Sequence, residues 1–133
     1  MDEAMKKMLT LILLTVILAA CADSPKSAKD IGKGISLEIQ TDETIYHISF
    51  EKYEDGLSID NGGVINANNS PFERGEIVFF DSATINPNKN TKIIIAYSGN
   101  INGTNAKETT ISFNPSESWA ELILNNQLEL ELK

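Results

Sequence analysis

The chain holds one cysteine, Cys21, and one histidine, His47, and this pair limits the chemistry its side chains can perform. Structural and catalytic zinc sites draw three or four ligands from Cys, His and carboxylates. His47 lies near Glu51 on the wet side of an alternating segment, with no second imidazole and no neighbouring thiolate to share a metal. No Gly-x-Ser-x-Gly stretch places a serine on a strained strand-to-helix turn. The glycines fall in Asn-rich stretches rather than at a phosphate-cradling strand-to-helix junction. Asp42-Glu43 and Glu54-Asp55 are carboxylate pairs, but each pair is adjacent in sequence, whereas glycosidase carboxylates face each other across a cleft from different elements. Asp60-Asn61-Gly62-Gly63, followed by Asn66, Asn68 and Asn69, offers hard oxygen ligands of the kind calcium takes. It lacks the spaced carboxylates and closing Glu of an EF-hand loop, and a plain hairpin and loop is the preferred reading. These residues predict no enzyme, no metal and no cofactor.

Cys21 is different because of what precedes it. Met5-Lys6-Lys7-Met8 is a short basic start, and Leu9 to Leu18 is an apolar run broken only by Thr10 and Thr15. Together they form the basic and apolar regions of a secretory signal. Even extended through Ala22, the run falls short of the roughly 20 residues that cross a bilayer as a helix. Asp2 and Glu3 weaken the basic start, and translation from Met1 and from Met5 both remain open. The run closes on Leu18-Ala19-Ala20-Cys21, which resembles the lipobox of bacterial lipoproteins at all four positions: a branched apolar residue, two small residues, then cysteine.

The resemblance implies that the Cys21 sulfur receives a diacylglyceryl group and that the lipoprotein signal peptidase cuts between Ala20 and Cys21. The new amino terminus is then open to acylation. A thiolate is the nucleophile such a transfer needs, and two or three acyl chains make the attachment effectively permanent. Ala20-Cys21-Ala22 also fits the small-x-small pattern of ordinary signal peptidase, which would release a soluble protein from Asp23. For lipoproteins of enterobacterial type, an Asp after the cysteine retains the protein at the inner membrane. Ala22 stands there, which implies the periplasmic face of the outer membrane in a Gram-negative cell, with Asp23 one step further on. In a Gram-positive cell the address is the outer face of the single membrane.

Three segments follow: a signal peptide at 1–20, a lipidated cysteine and tether at 21–34, and a folded domain at 35–133. Ala22 to Gly34 is small, charged and interrupted by Pro25, Gly32 and Gly34, and reads as flexible. From Ile35 the apolar period is two, clearest in Ile35 to Gln40 and Leu128 to Lys133. Further β-branched or aromatic stretches are Thr44 to Glu51, Gly56 to Asp60, Val64 to Ala67, Glu76 to Asp81, Thr91 to Ser98 and Thr109 to Phe113. Turn signals separate them, among them Asp55-Gly56, Asn61-Gly62-Gly63, Asn68-Asn69-Ser70-Pro71 and Ser98-Gly99-Asn100. The expectation is an all-β, antiparallel β-sandwich, immunoglobulin-like or transthyretin-like, without the two-cysteine and tryptophan signature of the former. Ile77 to Phe80 and Ile93 to Ile95, apolar on both faces, are expected in central strands, and the first and last strands near the edges. Ser116 to Leu124 reads equally as a short helix, with Ser118 and Glu121 as a capping box, or as a strand from Trp119.

A formal net charge of −8, with Arg74 the sole arginine and no basic cluster, excludes nucleic acid as a partner. What remains is recognition, by the Asn- and Gly-rich loops at 61–71 and 98–107 or by an edge strand. The first expectation is a membrane-anchored envelope lipoprotein acting as a non-enzymatic protein-binding or structural module, its partner another envelope protein. The alternatives are an immunity or inhibitor protein that intercepts a periplasmic toxin or hydrolase, and a carbohydrate or peptidoglycan binder. The last is disfavoured because Trp119 is the only tryptophan.

Overall fold

The computed structural model describes residues 27–133. The signal peptide, the Ala20-Cys21 cleavage point and lipid attachment to Cys21 lie outside the described residues.

The period-two segments bury one face each, and two sheets close over those faces as a β-sandwich. The first sheet contains β1 (Gly34–Ile39), β4 (Ile77–Phe80), β7 (Trp119–Leu124) and β8 (Leu130–Leu132), in the order β4-β1-β7-β8. The second contains β2 (His47–Glu54), β3 (Leu57–Val64), β5 (Thr91–Ser98) and β6 (Lys107–Phe113), in the order β3-β2-β5-β6. The second sheet is antiparallel throughout, whereas β1 and β7 run parallel, so the first is mixed. Ile35, Leu37, Ile39, Leu122 and Leu124 meet Ile48, Phe50, Ile93 and Ile95 between the sheets. Each such side chain contributes about 1.5–3 kcal/mol by leaving water. The rings of Phe50 and Phe80 pack across the gap at a tilt of 49°, with centroids 4.6 Å apart.

Four local expectations change. Residues 27–34 are not tether: Ser27 caps a one-turn helix, α1 (Ala28–Ile31), and Gly32 ends it in the left-handed conformation at φ 84°. Ser27 and Asp30 form a reciprocal capping box, Ala28 is fully buried, and its N–H donates to Ser36 Oγ at 3.2 Å. The described fold therefore takes in residues 27–34 ahead of Ile35, and α1 covers the outer face of β1. That cover makes β1 a central strand despite its alternation, with only Glu38 short of full burial. The apolar Ile77 to Phe80 is an edge strand instead.

Asn61-Gly62-Gly63 is the interior of β3, not a turn between two strands. A Cβ on Gly62 would sit 3.0 Å from the Phe50 ring and one on Gly63 3.3 Å from the His47 ring. The glycines make room for aromatic rings on opposite faces of the strand. Of the two readings left open at Trp119 to Leu124, the strand holds: Ala120, Leu122 and Leu124 point inward in alternation, and β1 provides a ladder.

The registers separate two ends of the sandwich. At the near end lie α1, the β2–β3 turn at Asp55-Gly56, the 81–90 and 114–118 connections and Lys133. At the far end lie the connections 40–46, 65–76, 99–106 and 125–129.

Candidate functional site

The two loops singled out by composition come together at the far end. Tyr46, Asn69 and the stretch Gly99 to Asn102 with Thr104 line a cleft of about 420 Å³. Each wall is braced by short polar side chains that fold back on their own backbone, as Asn and Ser do in turns. In the 98–107 loop, Ser98 Oγ donates to the Thr104 carbonyl at 2.5 Å and Asn100 Nδ2 donates to the same oxygen at 3.1 Å. Thr104 N–H and Oγ1 both donate to Asn102 Oδ1, at 3.2 and 2.8 Å. In the 65–71 loop, Ser70 N–H and Oγ donate to Asn68 Oδ1, and Asn66 Nδ2 donates to the Pro71 carbonyl at 3.2 Å. Asn69 takes a positive φ of 59°, which Asn tolerates better than other non-glycine residues. The Tyr46 N–H donates to the Ser98 carbonyl at the end of β5, and the Phe72 N–H donates to the Ile45 carbonyl in the 40–46 connection. Ile101, in the cleft lining, stays exposed. The cleft offers hydrogen bonds, one aromatic ring and apolar contact, which are the means of recognition; its lining residues include no nucleophile paired with a base.

His47 is half-buried on the outer face of the second sheet, its ring against Gly63 and Gly103, where a Cβ would stand 3.3 and 3.1 Å away. It lines a shallow trough of about 560 Å³ with Ser49, Glu51, Ala96 and Glu108. Among the described residues, no group of three His, Cys, Asp or Glu has the arrangement of a metal site. The oxygen-rich stretch considered for calcium does not converge either. Asp60 sits in extended β3 and turns to Thr84, while Asn66 and Asn68 bond within their own loop. The carboxylate pairs are divided among cations: Asp42 with Arg74 at 3.1 Å, Glu43 with Lys107 at 3.7 Å, Asp55 with Lys89 at 3.4 Å and Glu54 with Lys52 at 3.0 Å.

One residue escaped the sequence reading. Lys52 has none of its side chain exposed and lies on the inward face of β2, toward the near end. Its Nζ donates to Glu54 Oε1 at 3.0 Å, Thr84 Oγ1 at 3.3 Å and the Thr84 carbonyl, and forms an ion pair with Asp60 Oδ2 at 3.2 Å. The signal was present: Ile48, Phe50 and Lys52 share one face by alternation, so the period that buries the first two also buries the third. Burial alone would raise the Asp60 carboxyl, but the bonds from Lys52 and Thr84 and the Lys52 charge outweigh it and hold Asp60 below its ordinary value. The nearby Tyr53 hydroxyl donates to Glu51 Oε1 at 2.7 Å, and that bond, with burial and the Glu51 charge, raises its pKa. The Lys92 ammonium lies 4.4 Å from the centroid of the Tyr53 ring. Lys52 joins β2, β3 and the 81–90 connection; it opens on no cleft and is a structural clamp. Comparison of the chain with protein-family models, with curated proteins and with solved structures returned no match.

Proposed function

We propose that this chain is a lipoprotein of the bacterial envelope, lipidated on Cys21, whose β-sandwich binds another envelope protein through its far-end loops without catalysing a reaction. The observation that carries the reading is polarity. Ser27, the first described residue, lies at the near end, five residues, Ala22 to Lys26, after the cysteine, while the two Asn-rich loops meet at the opposite end. Fully extended, such a link spans at most about 20 Å. A lipid on Cys21 would hold the near end against the membrane and turn the braced cleft outward. Exposed Ile101, beside Tyr46 and Asn69, supplies with them the mixture of apolar anchor and polar contact by which loops on a rigid scaffold bind proteins.

The test uses full-length tagged protein in living cells, with a photo-crosslinking amino acid at Asn102 and, separately, at Lys29. Labelled palmitate is expected in the wild type and not in Cys21→Ala. A discrete crosslinked partner is expected from position 102 alone. Absence of the label rejects the anchor; absence of a crosslink from 102 rejects the adaptor. The far end stays acidic after Arg74 meets Asp42 and Lys107 meets Glu43, with Glu73 and Glu76 left over, which favours a basic partner. An immunity role is the second reading that this charge supports, and a crosslinked toxin or hydrolase neutralised by the protein would select it.

A further inference from the structure

We infer that β3 is a docking edge, to which an extended segment of a partner protein with basic flanks adds as a further strand. This rests on the protein-binding reading above and names a second surface and the shape of what pairs there. A sheet edge presents a row of unpaired N–H and C=O groups, and proteins usually blunt such edges with short strands, proline, bulges or charges, including inward-pointing ones. Three of the four edges here are blunted: β4 has four residues, β8 has three, and β6 opens on the exposed charges Lys107 and Glu108. β3 has eight residues and neither lysine nor proline. Its only charge, Asp60, is turned to Lys52 and Thr84.

Apolar exposure collects on the same edge. Among the described residues, six large apolar side chains are exposed, and three of them are Leu57, Ile59 and Ile65, on β3 or directly after it. Leu57 is 69 % exposed, the highest of the six. A bulge does occur: Asp60 opposes Lys52 and Ser58 opposes Tyr53, leaving Ile59 between them. It turns Ile59 outward without ending the strand, since Asp60 to Val64 continue in register beyond it. Backbone groups ask for an extended chain, and the exposed side chains ask for apolar residues in alternation along it.

Charge chooses between a second copy and a different protein. In the β2–β3 hairpin Lys52 meets Glu54 and Asp60, and Lys89 meets Asp55, which leaves Glu51 without a cation partner among the described residues, and the whole chain is at −8. Two copies paired edge to edge would bring two surfaces of the same net sign together, whereas lysine or arginine beside the incoming segment would meet Glu51.

The probe is a lysine-flanked peptide of alternating valine and threonine, N-methylated along one edge so that only its other edge can pair. Amide hydrogen exchange of detergent-solubilised full-length protein is followed by mass spectrometry. At a peptide concentration about ten times its Kd, exchange in 57–65 is expected to slow by about tenfold, with β6 unchanged. The protection is expected to disappear in the Leu57→Lys/Ile59→Lys double variant and with peptide methylated on both edges. No protection of β3, or equal protection by the doubly methylated peptide, overturns the inference. Protection that grows with protein concentration alone assigns the edge to a second copy and overturns the choice of partner. Protection of β3 without a cellular crosslink from Asn102 rejects the loop reading and leaves the edge; the reverse rejects the edge.

Discussion

A lysine can be wholly enclosed only if its charge is met, and Lys52 meets two carboxylates and both oxygens of Thr84. Removing one partner of such a cluster costs more than the cluster contributes, because the remaining charges are left uncompensated. Lys52→Ala is expected to lower stability by about 3 kcal/mol in urea denaturation, with Glu54, Asp60 and a cavity all left behind. Acid should act on the same cluster. Asp60 has a folded pKa below its ordinary 3.8, so its contribution is complete above that value and is lost as pH falls through the lower, folded one. Glu76 runs the other way. Burial, and after it the Glu73 charge, raise its pKa above 4.5 despite an opposing hydrogen bond from Asn66. Its contribution is therefore complete below 4.5 and is lost as pH rises through the raised value. Stability measured across this range is expected to lose an acid-sensitive component in Asp60→Asn. In Glu76→Gln it should lose a component that weakens the wild type toward neutral pH. An Asp60→Asn profile superimposable on the wild type below pH 4 would reject the role given to Lys52.

At the scale of elements, glycine decides whether Asn-Gly-Gly turns the chain or lets rings lie on it. Gly62→Ala is expected to cost about 1–3 kcal/mol by overpacking against Phe50, whose ring would be 3.0 Å from the new Cβ. A neutral result would mean that Phe50 can move aside. The sandwich was legible because alternation is local and one-sided strands announce themselves, as in His47 to Glu51. Strand order was not legible, since it depends on what covers each face. β1 looks half-wet in sequence, but α1 covers its outer side. α1 itself was hidden by composition: Gly32, Gly34 and Pro25 outweighed the Ser27-x-x-Asp30 box, although that box is a local helix signal. Ala28→Asp is expected to destabilise the domain by several kcal/mol by burying a carboxylate against the sheet, and unchanged thermal unfolding would return 27–34 to the tether. The loops at 61–71 and 98–107 were legible as residues, but their convergence was not. Their meeting requires β2, β3 and β5 to end side by side, which is a property of register.

For the whole molecule, the distance between anchor and binding loops follows from the polarity of the sandwich. β5 spans eight residues between the two ends, about 27 Å at the rise of an antiparallel strand. If Cys21 carries lipid, Ala22 to Lys26 reach at most about 20 Å, less than the domain is tall, so the domain cannot invert and bring its far end to the headgroups without lying on its side. Its acidic surface works against lying down on an anionic leaflet, and at 0.15 M salt that repulsion extends over about 8 Å. Full-length lipidated protein in vesicles with quencher-bearing headgroups checks this. A fluorophore at Lys29 is expected to be strongly quenched and one at Asn102 to remain bright, because α1 and the cleft lie at opposite ends. Inserting ten glycine and serine residues before Ser27 should relieve the quenching at Lys29 while leaving Asn102 bright. Equal quenching at both positions would mean a domain lying flat, with its loops unavailable to a partner above the membrane.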